Sequence, residues 1–324
     1  MPRNAIIRVL FAASLALTLS FAAFAEDYPA RTIMLVVPYP PGGGNDVIAR
    51  IIAGKMSAAL GREIVVENHG GAGGTIATRQ VARAAPDGYT LLVATSSLAI
   101  NPSIYPDVGY DPRKDFAPIG LMAMSQNVLL VHPAVAATSV QELIARAKAE
   151  PGRLTFASTG GGNSVQLAAQ LFAEMAGVRL TQVPYKGNAP ALTDLLGGHV
   201  DMMFSPLPAA VGLVRDGKLR ALAVTGSRRS PLFAELPTIA EAGLPGYESE
   251  LHYGIVVPAG VPRPIVDKLN AALRGALAAP DVAQRFAALG AEVLASTPEA
   301  YAADIAAEEA KWSPILRKAG VKAQ

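Results

Sequence analysis

Two tracts in separate halves of the chain nearly spell the same word, Gly42-Gly43-Gly44-Asn45-Asp46 and Gly160-Gly161-Gly162-Asn163-Ser164. Each follows a β-like run, residues 33–37 and 154–157, and each opens a segment with helical apolar spacing. A strand, a glycine loop and a helix N-terminus together form an anion site. Glycine lets the backbone approach closely, and the unpaired first-turn N–H groups point at the ligand under the positive end of the helix dipole. Two such loops in two halves imply a ligand held between two facing domains.

The rest of the sequence alternates strands and helices nearly throughout, which predicts α/β layers with mainly parallel sheets. Residues 33–37 are continuously apolar, as in a strand buried on both faces. Val47, Ile48, Ile51, Ile52, Met56, Ala59 and Leu60 then form a 3.6-residue stripe that ends at Gly61. Further strands are predicted at 63–67, 89–94, 127–131, 154–157, 181–183, 200–204, 219–225 and 251–257. Helices are predicted near 76–84, 140–149, 167–175, 190–196, 264–278, 282–289 and 298–319.

Residues 1–25 read as a leader rather than as part of the fold. Arg3 and Arg8 form a positive start, an uncharged apolar run follows, and Ala23-Phe24-Ala25 is an A-x-A cleavage site, so the mature chain is predicted to begin at Glu26 in the periplasm. The chain has no cysteine, which removes disulfides, thiol catalysis, thiolate metal sites and lipid attachment together. The roughly 300 remaining residues are enough for two domains with cores of their own. Losing Arg3 and Arg8 lowers the 28 Lys+Arg to match the 26 Asp+Glu. A formally neutral chain offers no basic field for nucleic acid.

The glycine tracts do not fit nucleotide fingerprints. G-x-G-x-x-G fails at Val47, at Ile76 and at Val165, and no glycine loop precedes a Lys-Ser/Thr pair. A periplasmic hydrolase using Ser158 or Ser164 is the competing reading from another class. It lacks a G-x-S-x-G elbow and an S-x-x-K pair. His69, His132, His199 and His252 are scattered without metal-ligand spacing, so neither a metal nor another cofactor is predicted.

Several ordered motifs carry a resemblance. They are Pro38-Tyr39-Pro40-Pro41-Gly42-Gly43, Val66-Glu67-Asn68 with Gly71-Ala72-Gly73-Gly74-Thr75, and Pro86-Asp87-Gly88-Tyr89-Thr90-Leu91-Leu92. Val183-Pro184-Tyr185-Lys186-Gly187, Gly198-His199-Val200-Asp201-Met202-Met203-Phe204 and Leu236-Pro237-Thr238-Ile239-Ala240-Glu241-Ala242-Gly243 continue them. The chain resembles the Bug family, the periplasmic solute receptors of tripartite tricarboxylate transporters, over essentially all of residues 26–321.

The resemblance implies a type II periplasmic-binding-protein fold: two α/β domains joined by two crossing strands around a ligand cleft. It places the first domain at 26–126 and 251–324 and the second at 127–250. It implies a monomer that binds a small organic carboxylate, partly through water, and meets integral membrane subunits transiently, or else a sensor kinase. Carried onto this sequence, the ligand contacts are Tyr39, Pro40, Gly42 and Gly43 in the first loop and Ser158, Thr159 and Gly160 in the second. Thr95 and Ser96 are further contacts, and Asp201 matches the family's Val-Asp pair in a role that suits structure better than ligand.

This chain departs from the family where selectivity is set. Asn163 and Gln166 replace the serine and histidine usual in the second loop. Ser205 follows Met202-Met203-Phe204 where an acid is usual, and His252 replaces a tryptophan in the hinge strand. If these side chains face the cleft, an acid lost at 205 and a histidine gained at 252 suit a second anionic group on the ligand.

Overall fold

The apolar run at residues 33–37 becomes β1 (Ile33–Val37), flanked by two parallel neighbours on the same sheet. The computed structural model describes residues 28–158, 164–185 and 187–318; the leader, Thr159, Gly160 and Asn163 lie outside them. After β1 come α1 (Gly44–Leu60), β2 (Ile64–Asn68), α2 (Thr75–Ala82), β3 (Thr90–Thr95), α3 (Ser97–Ile100) and β4 (Phe116–Val131). The second half runs α4 (Val140–Ala149), β5 (Thr155–Ser158), α5 (Ser164–Ala176), β6 (Thr181–Pro184), α6 (Asn188–Leu196), β7 (Met202–Pro206), α7 (Leu207–Arg215) and β8 (Arg220–Val224). The chain then returns through β9 (Glu250–Pro258), α8 (Arg263–Leu277), α9 (Pro280–Ala288), β10 (Ala291–Val293) and α10 (Pro298–Lys318).

Two lobes result, each a strand–helix–strand layer. In the first, β2, β1 and β3 are parallel; in the second, β6, β5 and β7 are. The strands between them depart from the expected parallel sheet. β9 runs antiparallel to both β3 and β4, and β4 runs antiparallel to β7, β8 and β10. β4 divides at Gln126. Residues 116–126 pair with β9, and residues 127–131 pair with β7 and β8.

The helices fold for ordinary reasons. α8 buries Ile265, Leu269, Leu273 and Leu277 at helical spacing, and Pro264 sits in its first turn, where a missing N–H costs nothing. Each such side chain taken fully from water contributes about 1.5–3 kcal/mol. The strand core fills the same lobe from beneath, with Ile33, Leu35, Leu91 and Ile255 fully buried.

Four elements escaped the sequence reading, among them the one-turn α3 (Ser97–Ile100). The first half of β4 carries Pro118 and Gly120 and shifts register at both Pro118/Gly120 and Leu121/Ala123, so no clean alternation survives. α7 follows Pro206 and holds Pro208 in its first turn, where proline reads as a breaker yet is tolerated. β10 is three residues long.

α10 belongs to both lobes. Tyr301 and Ile305 pack in the first lobe, whereas Trp312 and Leu316 enter the core of the second with Phe172 and Tyr247. Gly254 of β9 lets α10 lie flush: a Cβ there would come within 2.2 Å of the Tyr301 ring.

Candidate functional site

A cavity of about 320 Å³ opens between the lobes. The start of α1 contributes Gly44 and Asn45, and the start of α5 contributes Ser164. The start of α7 contributes Leu207, Pro208 and Ala209. Three helix N-termini thus converge on one space. β4 adds Ser125, Gln126 and Asn127, and β9 adds Leu251 and Tyr253. No charged side chain occurs among the described residues that line it. The attraction it offers an anion comes from helix N–H groups and neutral donors.

The first glycine loop is held by a network. Gly43 is the N-cap of α1 and has no side chain with which to cap it. The Gly42 N–H instead donates to the Asp46 carboxylate at 2.9 Å, and Arg50 lies 3.0 Å from the other oxygen. Burial by itself would raise the Asp46 pKa, but the bonds from Arg50, the Gly42 N–H and Asn68 hold it below the usual carboxylate range. Arg50 also donates to Asn68, whose amide donates to the Tyr39 carbonyl at 3.1 Å. The Tyr39 hydroxyl lies 2.9 Å from Thr95 Oγ1 and 3.1 Å from Ser97 Oγ. Tyr39, Gly42 and Thr95, read as ligand contacts, spend these groups on the loop's shape. Pro40 and Gly43 are exposed beside the α1 N-terminus.

The hinge strand sets where His252 lies. Successive side chains on a strand face opposite ways. Leu251 and Tyr253 line the cleft, so His252 points to the other face, toward α10. Its Nδ1 lies 2.9 Å from Asp304, its Nε2 3.8 Å from Glu250, and Glu308 stands nearby. Burial opposes its charge, yet Asp304 and then Glu250 outweigh it and raise its pKa to about 10. His252 is a half-buried imidazolium fastening α10 to β9, and it faces away from the cleft. Ser96 shares that face: its Oγ accepts the His252 backbone N–H at 3.1 Å. Ser96, His252 and Asp304 hold the residue types of a catalytic triad, but among the described residues the imidazole bonds no serine hydroxyl.

Asp201 is also placed away from the cleft. Its carboxylate accepts both the Thr155 N–H and the Thr155 hydroxyl at 2.8 Å, at the start of β5. Ser158 ends that strand toward the cleft, roughly 10 Å further along by strand rise. Ser158 and Ser205 are fully buried, and Ser205 Oγ lies 3.4 Å from the Pro206 carbonyl; Pro206 is the residue that reaches the cavity. Gln166 is buried on the first turn of α5.

The cleft residues missed in the sequence are Asn45, Ser125, Gln126, Asn127, Ser164, Leu251 and Tyr253, with the start of α7. Period two along the two hinge strands was the available signal, once either face was known. Burial raises the Tyr253 phenol to about 12, so it stays a neutral hydroxyl, 3.3 Å from Ser125 Oγ. The Asn45 Oδ1 is buried with no hydrogen-bond partner, leaving this cleft amide unsatisfied.

A family model described as tripartite tricarboxylate transporter family receptor matches residues 48–321. Protein BugT of Bordetella pertussis is 39% identical over 300 residues, covering 92% of each chain. Among solved structures, R. palustris Rpa4515 with adipate aligns at 37% identity and a TM-score of 0.80, covering 92% of this chain and all of that one. MatC from Rhodopseudomonas palustris with bound malate aligns at 36% identity and a TM-score of 0.75, over 89% of this chain and all of its own.

Proposed function

Because the chain belongs to the receptor family of tripartite tricarboxylate transporters, we propose that it is an exported, non-catalytic receptor for a small organic carboxylate. It closes its lobes on that ligand and delivers it to integral membrane subunits, acting as a monomer. The carrying observation is the meeting of three helix N-termini in an interlobe cavity whose described walls have no charged side chain. Such a site attracts one anion by backbone dipoles without burying a cation beside it. Ser125, Ser164, Asn45 and the neutral Tyr253 phenol supply further hydrogen bonds to the carboxylate and its water. Relatives holding adipate and malate support the ligand class.

Domain closure follows from the same geometry. The ligand bridges helix ends from both lobes, so binding favours the closed pair, and the closed face is the signal a membrane partner reads. A thermal-shift screen of the mature chain against a carboxylate library tests the reading. A ligand at a hundred times its Kd raises stability by about 2.7 kcal/mol. Stabilisation by neutral sugars or cations alone, with no carboxylate active, overturns it.

A further inference from the structure

We propose that the ligand has one carboxylate on an apolar body, and that the body lies in a second chamber beside the cleft. This rests on the carboxylate-receptor reading above and narrows it. The chamber measures about 360 Å³ and lies between the α9–β10 corner of the first lobe and residues 230–232 of the second. Its walls include Met124, Leu232, Ala283, Ala287 and Val293.

The two spaces adjoin. Ser125, Gln126 and Gly290 line both. Gly290 forms the partition with the start of α7, at φ +67, where a Cβ would come 2.8 Å from Pro208 and 3.3 Å from Leu207. Glycine makes this wall as thin as a chain can be. Gln126, which lines both spaces, is held in place: its Oε1 accepts the Gly226 N–H at 2.8 Å, and its Nε2 lies 3.4 Å from the Arg228 carbonyl.

Charge decides what enters. The ionisable groups on the described chamber walls are Glu250 and Glu292. Arg228, the cation at this edge, is occupied by Glu292 at 2.7 Å. Burial would raise the Glu250 pKa, but His252 and the Ser227 N–H lower it, so it stays anionic. The described residues lining the cleft add no cation, and residues 159–163 carry no charge in sequence. His252, the residue that suited a second anion in the sequence, faces α10. A first carboxylate therefore meets three helix N-termini, whereas a second meets carboxylates. An alkyl chain or aromatic ring meets methyl, thioether and methylene groups and is favoured there by burial.

Isothermal titration of the mature chain with matched acids tests this. Butyrate, hexanoate, octanoate and phenylacetate form one arm; succinate, adipate and citrate form the second, and hexanamide is the neutral control. Each added methylene should tighten binding by about four-fold, the equivalent of about 0.8 kcal/mol, until the chamber is full. Adipate should bind at least ten-fold more weakly than hexanoate, and hexanamide should not bind. Ala287→Trp, on the exposed surface of α9, should cost hexanoate and phenylacetate ten-fold or more; Ala283→Phe is the second variant. Adipate or citrate binding as tightly as hexanoate overturns the proposal, as does wild-type hexanoate affinity in a folded Ala287→Trp protein. If no mono-, di- or tricarboxylate binds, the receptor reading fails with it.

Discussion

Replacing His252 by glutamine removes the cation held between Asp304 and Glu250 and acting on Glu308, three buried or half-buried acids on α10 and β9. In the native protein the imidazole pKa is raised from 6.5 to about 10. A raised folded pKa gives stability that is complete below the unfolded value and is lost as pH rises toward the folded value. The window is therefore about pH 6.5 to 10, and the slope within it approaches 1.4 kcal/mol per pH unit. Between pH 7.5 and 9.5 the wild-type protein should lose roughly 2.5 kcal/mol from this group. The buried tyrosines titrate above that range, since burial raises Tyr301 and Tyr253 alike. At pH 7.5 His252→Gln should itself cost roughly 3–5 kcal/mol, because it leaves buried carboxylates without their counter-charge. Urea midpoints and slopes at half-unit steps, in parallel for both proteins, separate the two effects. A wild-type curve that is flat from pH 7.5 to 9.5, or a variant curve falling beside it, refutes the argument.

Other substitutions divide structure from binding. Asp201→Ala removes the acceptor of two Thr155 bonds and should cost about 1.5–3 kcal/mol in urea melts. Its carboxylate Kd should stay at the wild-type value, and a ten-fold loss of affinity with native stability would restore Asp201 to the ligand site. Asp46→Ala frees the Gly42 N–H and should weaken carboxylate binding by about ten-fold, because the loop must then be ordered on binding; unchanged titration curves argue against it. The same lowered carboxylate pKa predicts that the loop's stabilisation is present above the ordinary aspartate range and is lost as pH falls, which can be read from amide exchange at Gly42. Gly254→Ala places a methyl in the Tyr301 ring and should cost about 1–3 kcal/mol of stability by overpacking. A wild-type melting temperature would show that α10 does not press on β9.

Much of the scaffold was legible because it is written locally. The helix at 140–149 needs only Ser139 to cap Glu142 and an apolar stripe of Val140, Leu143 and Ala147. The strands at 33–37 and 251–257 are apolar enough to be recognised alone, and the two glycine tracts mark where α1 and α5 begin. Local pattern failed where two signals conflicted. Pro206 and Pro208 concealed α7, and Pro118 with Gly120 concealed half of the central strand.

The sequence by itself determined that glycine loops precede two helices in two α/β halves, since backbone freedom, capping and apolar period act within a few residues. Tertiary structure decided which groups those loops present to a ligand. On β9 the alternation of 251, 252 and 253 is plain in sequence, yet only its pairing with β3 and β4 and the packing of α10 put Tyr253 in the cleft and His252 among acids. Asp201 likewise became a strand tie because Thr155 lies beside it across 46 residues of chain. The charge an anion meets depends on which side chains converge on it, and that convergence is made by contacts far apart in sequence.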